Sequence, residues 1–264
     1  MPPHAMNIKP PYGYQDIVPL AKTHRVLLPA ARQLPPALRG LTALPLSFTE
    51  FAVALRDYPI TFISGNDGSS FVAMAILGIE PQHNLFVGED GRWDAGTYLP
   101  AYVRRYPFCM SRVTVDGREQ PERMVCVERH ALQAGGTALY DDQGRPLPAW
   151  EPLSKLLFEF ETDLARTEEL CRTLQELQLL EPFSAQVAPT GESPVTLTGM
   201  HRVSEAKLQA LPAERLQQLV RNGMLPRIYA HLMSLDNFQR LLDRRAARRP
   251  REQSAATVDP KKLN

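Results

Sequence analysis

The sequence predicts an α+β fold: repeated helix plus antiparallel β-hairpin units, braced by a long helix and followed by a helical C-terminal region. Three observations lead there. A helical pattern runs into a proline-led strand three times, at Tyr58-Pro59-Ile60-Thr61-Phe62, Tyr106-Pro107-Phe108-Cys109-Met110 and Glu181-Pro182-Phe183-Ser184-Ala185. Each such strand is followed by turn residues and a second apolar run. Finally, apolar residues recur every three or four positions over about 151–180. A supersecondary unit used more than once usually buries its apolar face against its copies.

Residues 1–47 read as an extended segment packing on the core. Met1 to Tyr14 carries prolines and a lone lysine where a secretory leader needs a basic stretch and an apolar one, so a cytoplasmic location is expected, with signal-less export to the cell surface as the alternative. The α+β domain is expected over 48–243. Its first unit joins a helix, Phe48 to Asp57, to a strand opened by Pro59, the turn Asn66-Asp67-Gly68 and a return run from Phe71 to Leu77. The second joins a helix from Tyr98 to Arg105 to Pro107, Asp116-Gly117 and Met124 to Val127. Proline lacks an N–H and pushes its predecessor out of the α region, which sets both boundaries. Asp-Gly between apolar runs is a hairpin signal. Both units close on similar segments, Leu85 to Arg92 and Leu139 to Arg145. A third, degenerate unit turns at Thr190-Gly191-Glu192 and returns along Val195-Thr196-Leu197.

Glu151 to Leu180 reads as the spine. Leu153, Leu157, Phe160, Leu164, Cys171 and Leu174 form its apolar stripe; Glu159, Glu161, Arg166, Glu168, Glu169 and Arg172 form its wet side. Pro152 suits the first turn and Pro182 is expected to end the run. Beyond it, Ser204 can cap a helix to Leu211, Pro212 can start another that ends at Gly223, and Pro226 opens a last helix reaching about Asp243. Ile228, Leu232, Leu235 and Leu242 are its expected buried stripe, with His231, Ser234 and Phe238 on the margin.

Formal charge is only +1, yet residues 244–264 carry +5 and the rest −4. This basic tail, poor in large apolar residues and interrupted by Pro250 and Pro260, is expected to be disordered; a nucleic-acid role for it is not favoured. No apolar run approaches the roughly 20 residues of a membrane span. Cys109, Cys126 and Cys171 lack CxxC spacing and read as buried thiols. Walker, Rossmann, HExxH and nucleophile-elbow patterns are missing, as is the full ligand set of a calcium loop at Asp67, Asp90 or Asp116. No catalytic residue, metal site or cofactor is therefore assigned. His231, with Ser234 beside it, is the one weak polar candidate, and a structural hydrogen bond is its simpler role.

One stretch stands out as a candidate binding surface. Tyr98, Tyr102 and Tyr106 recur every four residues, flanked by Arg104 and Arg105 and preceded by Trp93. On one helix they would form a ridge of residue types that interfaces concentrate. Packing of that ridge onto its hairpin, with the arginines in water, is the simpler alternative.

Several stretches together resemble a bacterial family. They are Asp57-Tyr58-Pro59-Ile60, Asn84-Leu85-Phe86-Val87 with Gly91 and Trp93, the run from Tyr98 to Phe108, Leu179-Leu180-Glu181-Pro182, Gly199 with Val203 and Lys207-Leu208, and Tyr229-Ala230-His231-Leu232 with Ser234-Leu235 and Asn237-Phe238. They are similar to the SapC family, named after a component of a surface-layer gene cluster and distinct from the peptide-transporter permease and the saposins. The resemblance brings no established reaction to these positions. It implies a surface-layer association or, from relatives lying near flavin-dependent halogenase-like proteins, cupin-type oxygenase-like proteins and outer-membrane receptors, an intracellular accessory role. The expectation is a non-catalytic, partner-binding accessory protein. A surface-layer-associated protein and an enzyme acting on a peptide or small aromatic substrate, centred on His231 or on Tyr102 and Arg105, are the alternatives.

Overall fold

The computed structural model of the chain describes residues 6–65, 70–115, 118–119, 122–187 and 195–248. The N-terminal stretch forms strands β1 (Met6–Ile8), β2 (Ile17–Pro19) and β3 (Arg25–Val26), the one-turn helix α1 (Pro36–Arg39) and β4 (Ala43–Pro45). A 3-10 turn at Phe48–Glu50 leads into α2 (Phe51–Ala54), β5 (Ile60–Ser64) and β6 (Phe71–Ile76). Next come α3 (Ala101–Arg104), β7 (Phe108–Ser111), β8 (Val113–Val115), β9 (Arg118–Glu119), β10 (Met124–Glu128) and β11 (Thr137–Ala138). The long helix α4 (Glu151–Glu176) precedes β12 (Leu180–Val187) and β13 (Val195–Val203). The C-terminal helices are α5 (Glu205–Gln209), α6 (Ala213–Arg221), α7 (Met224–Ser234) and α8 (Asn237–Arg248).

The α+β class, the antiparallel pairing, the long helix and the helical C-terminal region are all present. β5 pairs β6 from Ile60↔Ala75 to Ser64↔Phe71, and β7 pairs β10 from Phe108↔Val127 to Ser111↔Met124. β12 and β13 form the third hairpin, and β13 also pairs β5, so the first and third hairpins share a sheet of order β12-β13-β5-β6-β4. The second hairpin gains β2 as a neighbour. The extended segment expected over 1–47 is thus built into the sheets, with β2 and β4 as edge strands. The three turns Asn66-Asp67-Gly68, Asp116-Gly117 and Thr190-Gly191-Glu192 lie outside the described residues, as do the tail residues 249–264.

Four expectations need correction. The helix expected over Tyr98 to Arg105 is only α3, because Pro100 disfavours the α region at Leu99 and itself sits at the N-cap with extended backbone. The helix expected from Phe48 to Asp57 is a 3-10 turn plus the short α2. Pro182 neither ends α4 nor opens a strand: the helix stops at Glu176, Gln178 takes a left-handed φ of 53°, and β12 begins at Leu180. β12 is an edge strand, where a residue without an N–H is tolerated. Finally, the last helix is two. α7 ends at Ser234, whose hydroxyl turns back to the His231 carbonyl, and Asn237 starts α8 by donating to Leu55 and Tyr58 carbonyls. Helix α8 then runs five residues past Asp243, with Arg245 paired to Glu80, Arg244 to Asp94 and Arg248 to the Asn84 carbonyl. The expected basic tail therefore begins as ordered helix.

Helix α4 spans two apolar clusters. Leu157 joins Phe108, Val127 and Trp150 in the smaller one, whereas Phe160, Leu170, Cys171 and Leu174 enter the larger. This is the brace expected of the spine.

A buried carboxylate links the first two units. Glu50 Oε2 accepts from the Ser47 N–H at 2.9 Å and the Ser47 hydroxyl at 2.8 Å, while Oε1 accepts from the Ala101 N–H at 2.6 Å and the Tyr98 hydroxyl at 3.0 Å. One side chain therefore caps its own helical turn and the start of α3. Glu50→Ala should lower the unfolding free energy by roughly 3 kcal/mol in urea titrations, since it orphans several buried donors. A loss under about 1 kcal/mol would show that this junction is not held by the carboxylate.

Candidate functional site

Trp93, Tyr102, Arg105 and Tyr106 are buried, so the binding-surface expectation is corrected for these four. Arg105 lies over the Tyr102 ring and Tyr14 touches both Tyr102 and Tyr106, whereas Trp93 packs on Tyr58 and Phe86. Only Tyr102 lies within α3; the single-helix ridge does not form. Trp93 stacks on Phe86 and its indole N–H points at the Tyr98 carbonyl and the Thr97 hydroxyl, both at 3.1 Å. Tyr98 is half-buried against Glu50, and Arg104 alone remains in water, donating to the Tyr98 hydroxyl at 3.0 Å. Tyr106 meets His130 Nε2 at 2.7 Å through its hydroxyl.

Arg105, just past α3, is unusual in being only 3% exposed. Its guanidinium carbon sits 4.2 Å from the Tyr102 ring centroid and 4.7 Å from that of Phe160, with Tyr14 at 5.6 Å. The electron-rich ring faces replace part of the lost hydration. One guanidinium N–H reaches Glu161 Oε1 at 3.3 Å, and Arg123 holds Oε2 of the same carboxylate. The Arg105 Nε–H is buried with no acceptor among the described residues. Burial pushes the Glu161 carboxyl up, and the neighbouring Arg123 and Arg105 charges pull it back.

Arg105 and Tyr102 line a cavity of about 270 Å³. Phe71, Val72 and Ala73 of β6 make one wall, and Glu161, Leu164 and Cys171 of α4 the opposite one. Met110 of β7, Arg123 and Tyr12 also line it, and the Tyr12 carbonyl accepts from the Tyr102 hydroxyl at 2.6 Å. Burial pushes the Tyr102 phenol and the Cys171 thiol up to about 12 each, so both are protonated and unreactive at neutral pH. Cys109 is pushed up to about 12 in the same way. All three cysteines are free and buried, as expected.

Glu161, Arg123 and Tyr12 were not among the site candidates. Glu161, expected on the wet side of α4, is only 13% exposed. A signal existed: Leu157, Glu161, Leu164, Glu168 and Cys171 alternate spacings of four and three, so Glu161 occupies a register of the apolar stripe. Arg123 and Tyr12 are distant in sequence and carried no pattern.

His231 and Ser234 lie away from this cavity, at the centre of the α7 contact and not on its margin. His231 Nε2 accepts the Val203 N–H at 3.0 Å, so Nδ1 carries the proton and donates it to the Ile60 carbonyl at 2.7 Å. The Ser234 hydroxyl accepts from the Ile60 N–H at 2.9 Å. The pair clamps α7 across β5 and β13. Burial lowers His231 to about 4, with its bond to Ile60 opposing the shift.

Among the described residues no group of three His, Cys, Asp or Glu side chains could hold a metal ion, and no helix is long and apolar enough to cross a membrane. A family model described as SapC matches residues 21–241, in agreement with the resemblance drawn from the motifs. No curated protein and no solved structure matches the chain.

Two outcomes follow from these environments. Tyr106→Ala should destabilise the fold by about 3 kcal/mol or more, read from chemical unfolding, because it empties a buried aromatic position; an unchanged midpoint would place the ring at the surface. His231 is neutral when folded and binds a proton more readily when unfolded. Its contribution is therefore complete above pH 6.5 and is lost as pH falls from there toward 4, at up to about 1.4 kcal/mol per pH unit. The stability gap between wild type and His231→Gln should narrow over that window, and a pH-independent gap would contradict the clamp.

Proposed function

The chain belongs to the SapC family, and on that premise we propose that it is a non-catalytic accessory protein that works by binding a protein partner. The observation that carries this reading is the exposure of apolar side chains on the cavity wall: Tyr12 and Val72 are 53% and 42% exposed. Large apolar groups left in water around a concave site are what interface cores are made from. The enzyme alternative draws less support. His231 has both ring nitrogens occupied by backbone groups, and the phenol and thiol in the cavity wall are held protonated.

The family resemblance makes an oxygenase-like or halogenase-like protein, or an envelope component, the partner class to test, and a cytoplasmic location is proposed with the first two. An affinity-tagged chain expressed in its native cells should retain one partner in fixed ratio, and the complex should re-form from the purified components. Tyr12→Ser/Val72→Lys should abolish both while leaving thermal unfolding unchanged. Identical retention by wild type and variant would overturn the proposed face, and recovery of the chain mainly in surface extracts would replace the accessory role with the surface-layer one.

A further inference from the structure

The cavity beside Arg105 has a chemistry of its own, beyond partner capture, and we infer that it is a binding site for a small apolar monocarboxylate. The buried guanidinium of Arg105 is the starting point. Two guanidinium groups, Arg105 and Arg123, share one carboxylate, Glu161. Arg123 and the other acidic wall residue, Glu168, are both exposed, where solvent and salt screen them. The buried charges of the cavity are therefore Arg105 and Glu161, joined by a single contact of 3.3 Å.

Arg105 is also under-satisfied. It is 97% buried as a side chain, its Nε–H has no acceptor among the described residues, and Glu161 meets only its other end, at 3.3 Å. A buried cation with an unused donor is destabilising, and a planar carboxylate is an acceptor well matched to a guanidinium. Away from the two guanidinium groups the wall is mainly apolar, with Pro45, Phe71, Ala73, Met110 and Leu164, and the Thr167 hydroxyl there already donates to the Asp163 carbonyl at 3.0 Å. A ligand with one anionic end and an aliphatic or aromatic body fits this division. A dicarboxylate or a phosphate would strand charge against hydrocarbon. The volume of about 270 Å³ lies just below the range of ~300–1,000 Å³ usual for small-molecule sites, which sets a modest ligand size. Tyr102 closes the cavity on one side by holding the Tyr12 backbone, so the N-terminal stretch forms part of the wall.

The test is calorimetric titration of the full chain with phenylacetate and hexanoate, each against its amide, and with succinate. Each acid should bind at least about tenfold more tightly than its amide, and succinate more weakly than hexanoate. Arg105→Gln should erase the preference for acid over amide, and Leu164→Trp, which fills the cavity, should weaken acid and amide alike. Thermal unfolding checks that each variant folds; if Arg105→Gln does not, Arg123→Gln reports instead, with a smaller reduction of the same preference. Equal affinity for acid and amide, or no binding of either acid by folded wild type at millimolar concentration, would overturn the inference. The partner reading is judged separately by the Tyr12→Ser/Val72→Lys pulldown, which uses no small ligand.

Discussion

The burial of Arg105 is the constraint around which the centre of the molecule is organised. A guanidinium held in the interior needs aromatic faces, a carboxylate and a fixed approach, and each comes from a different part of the chain. Tyr102 supplies one face from α3, Phe160 another and Glu161 the carboxylate from α4, and Tyr14 adds a ring from the N-terminal stretch. Moving α4 by one turn would remove Phe160 and Glu161 together. The register of the long helix, the path of the N-terminal segment and the shape of the cavity are therefore set by the same group.

The same economy appears at several other buried polar side chains. Glu50 ties the Ser47 turn to α3, His231 and Ser234 tie α7 to β5 and β13, and Glu128 accepts the Gln15 and Asp16 N–H groups at 2.7 and 3.3 Å. Each joins elements that hydrophobic contact alone could allow to slide, because apolar packing is not directional and a buried donor or acceptor is costly to leave unmet. In functional terms, these residues are occupied by structure. The groups beside the cavity differ in kind: Tyr12 and Val72 retain exposed apolar surface and Arg105 retains an unused donor.

Local chemistry was legible in the sequence wherever neighbours decide it. Apolar periodicity located α4 to within four residues at its end, Pro59 and Pro107 marked the starts of β5 and β7, and Gly223, at φ 68°, separates α6 from α7 as its position implied. The return strands at Phe71 and Met124 and the buried thiols were equally readable. Errors arose where backbone or side chains meet distant partners. Pro182 reads as a boundary in isolation, yet it is accommodated inside β12 because that strand lies at a sheet edge. Asp243 reads as a helix end only until Arg244 and Arg245 find Asp94 and Glu80.

By itself, then, the sequence determined the class of the fold, its hairpins and its long helix, because periodicity, proline and turn residues act over a few positions, and its family, because whole motifs resemble those of the family. It also singled out the stretch around Tyr102 and Arg105. Tertiary structure alone decided that this stretch faces inward, that Glu161 belongs with it and that a cavity opens between β6 and α4. Burial is a property of what the rest of the chain places against a residue, and neither spacing nor composition encodes the identity of that partner.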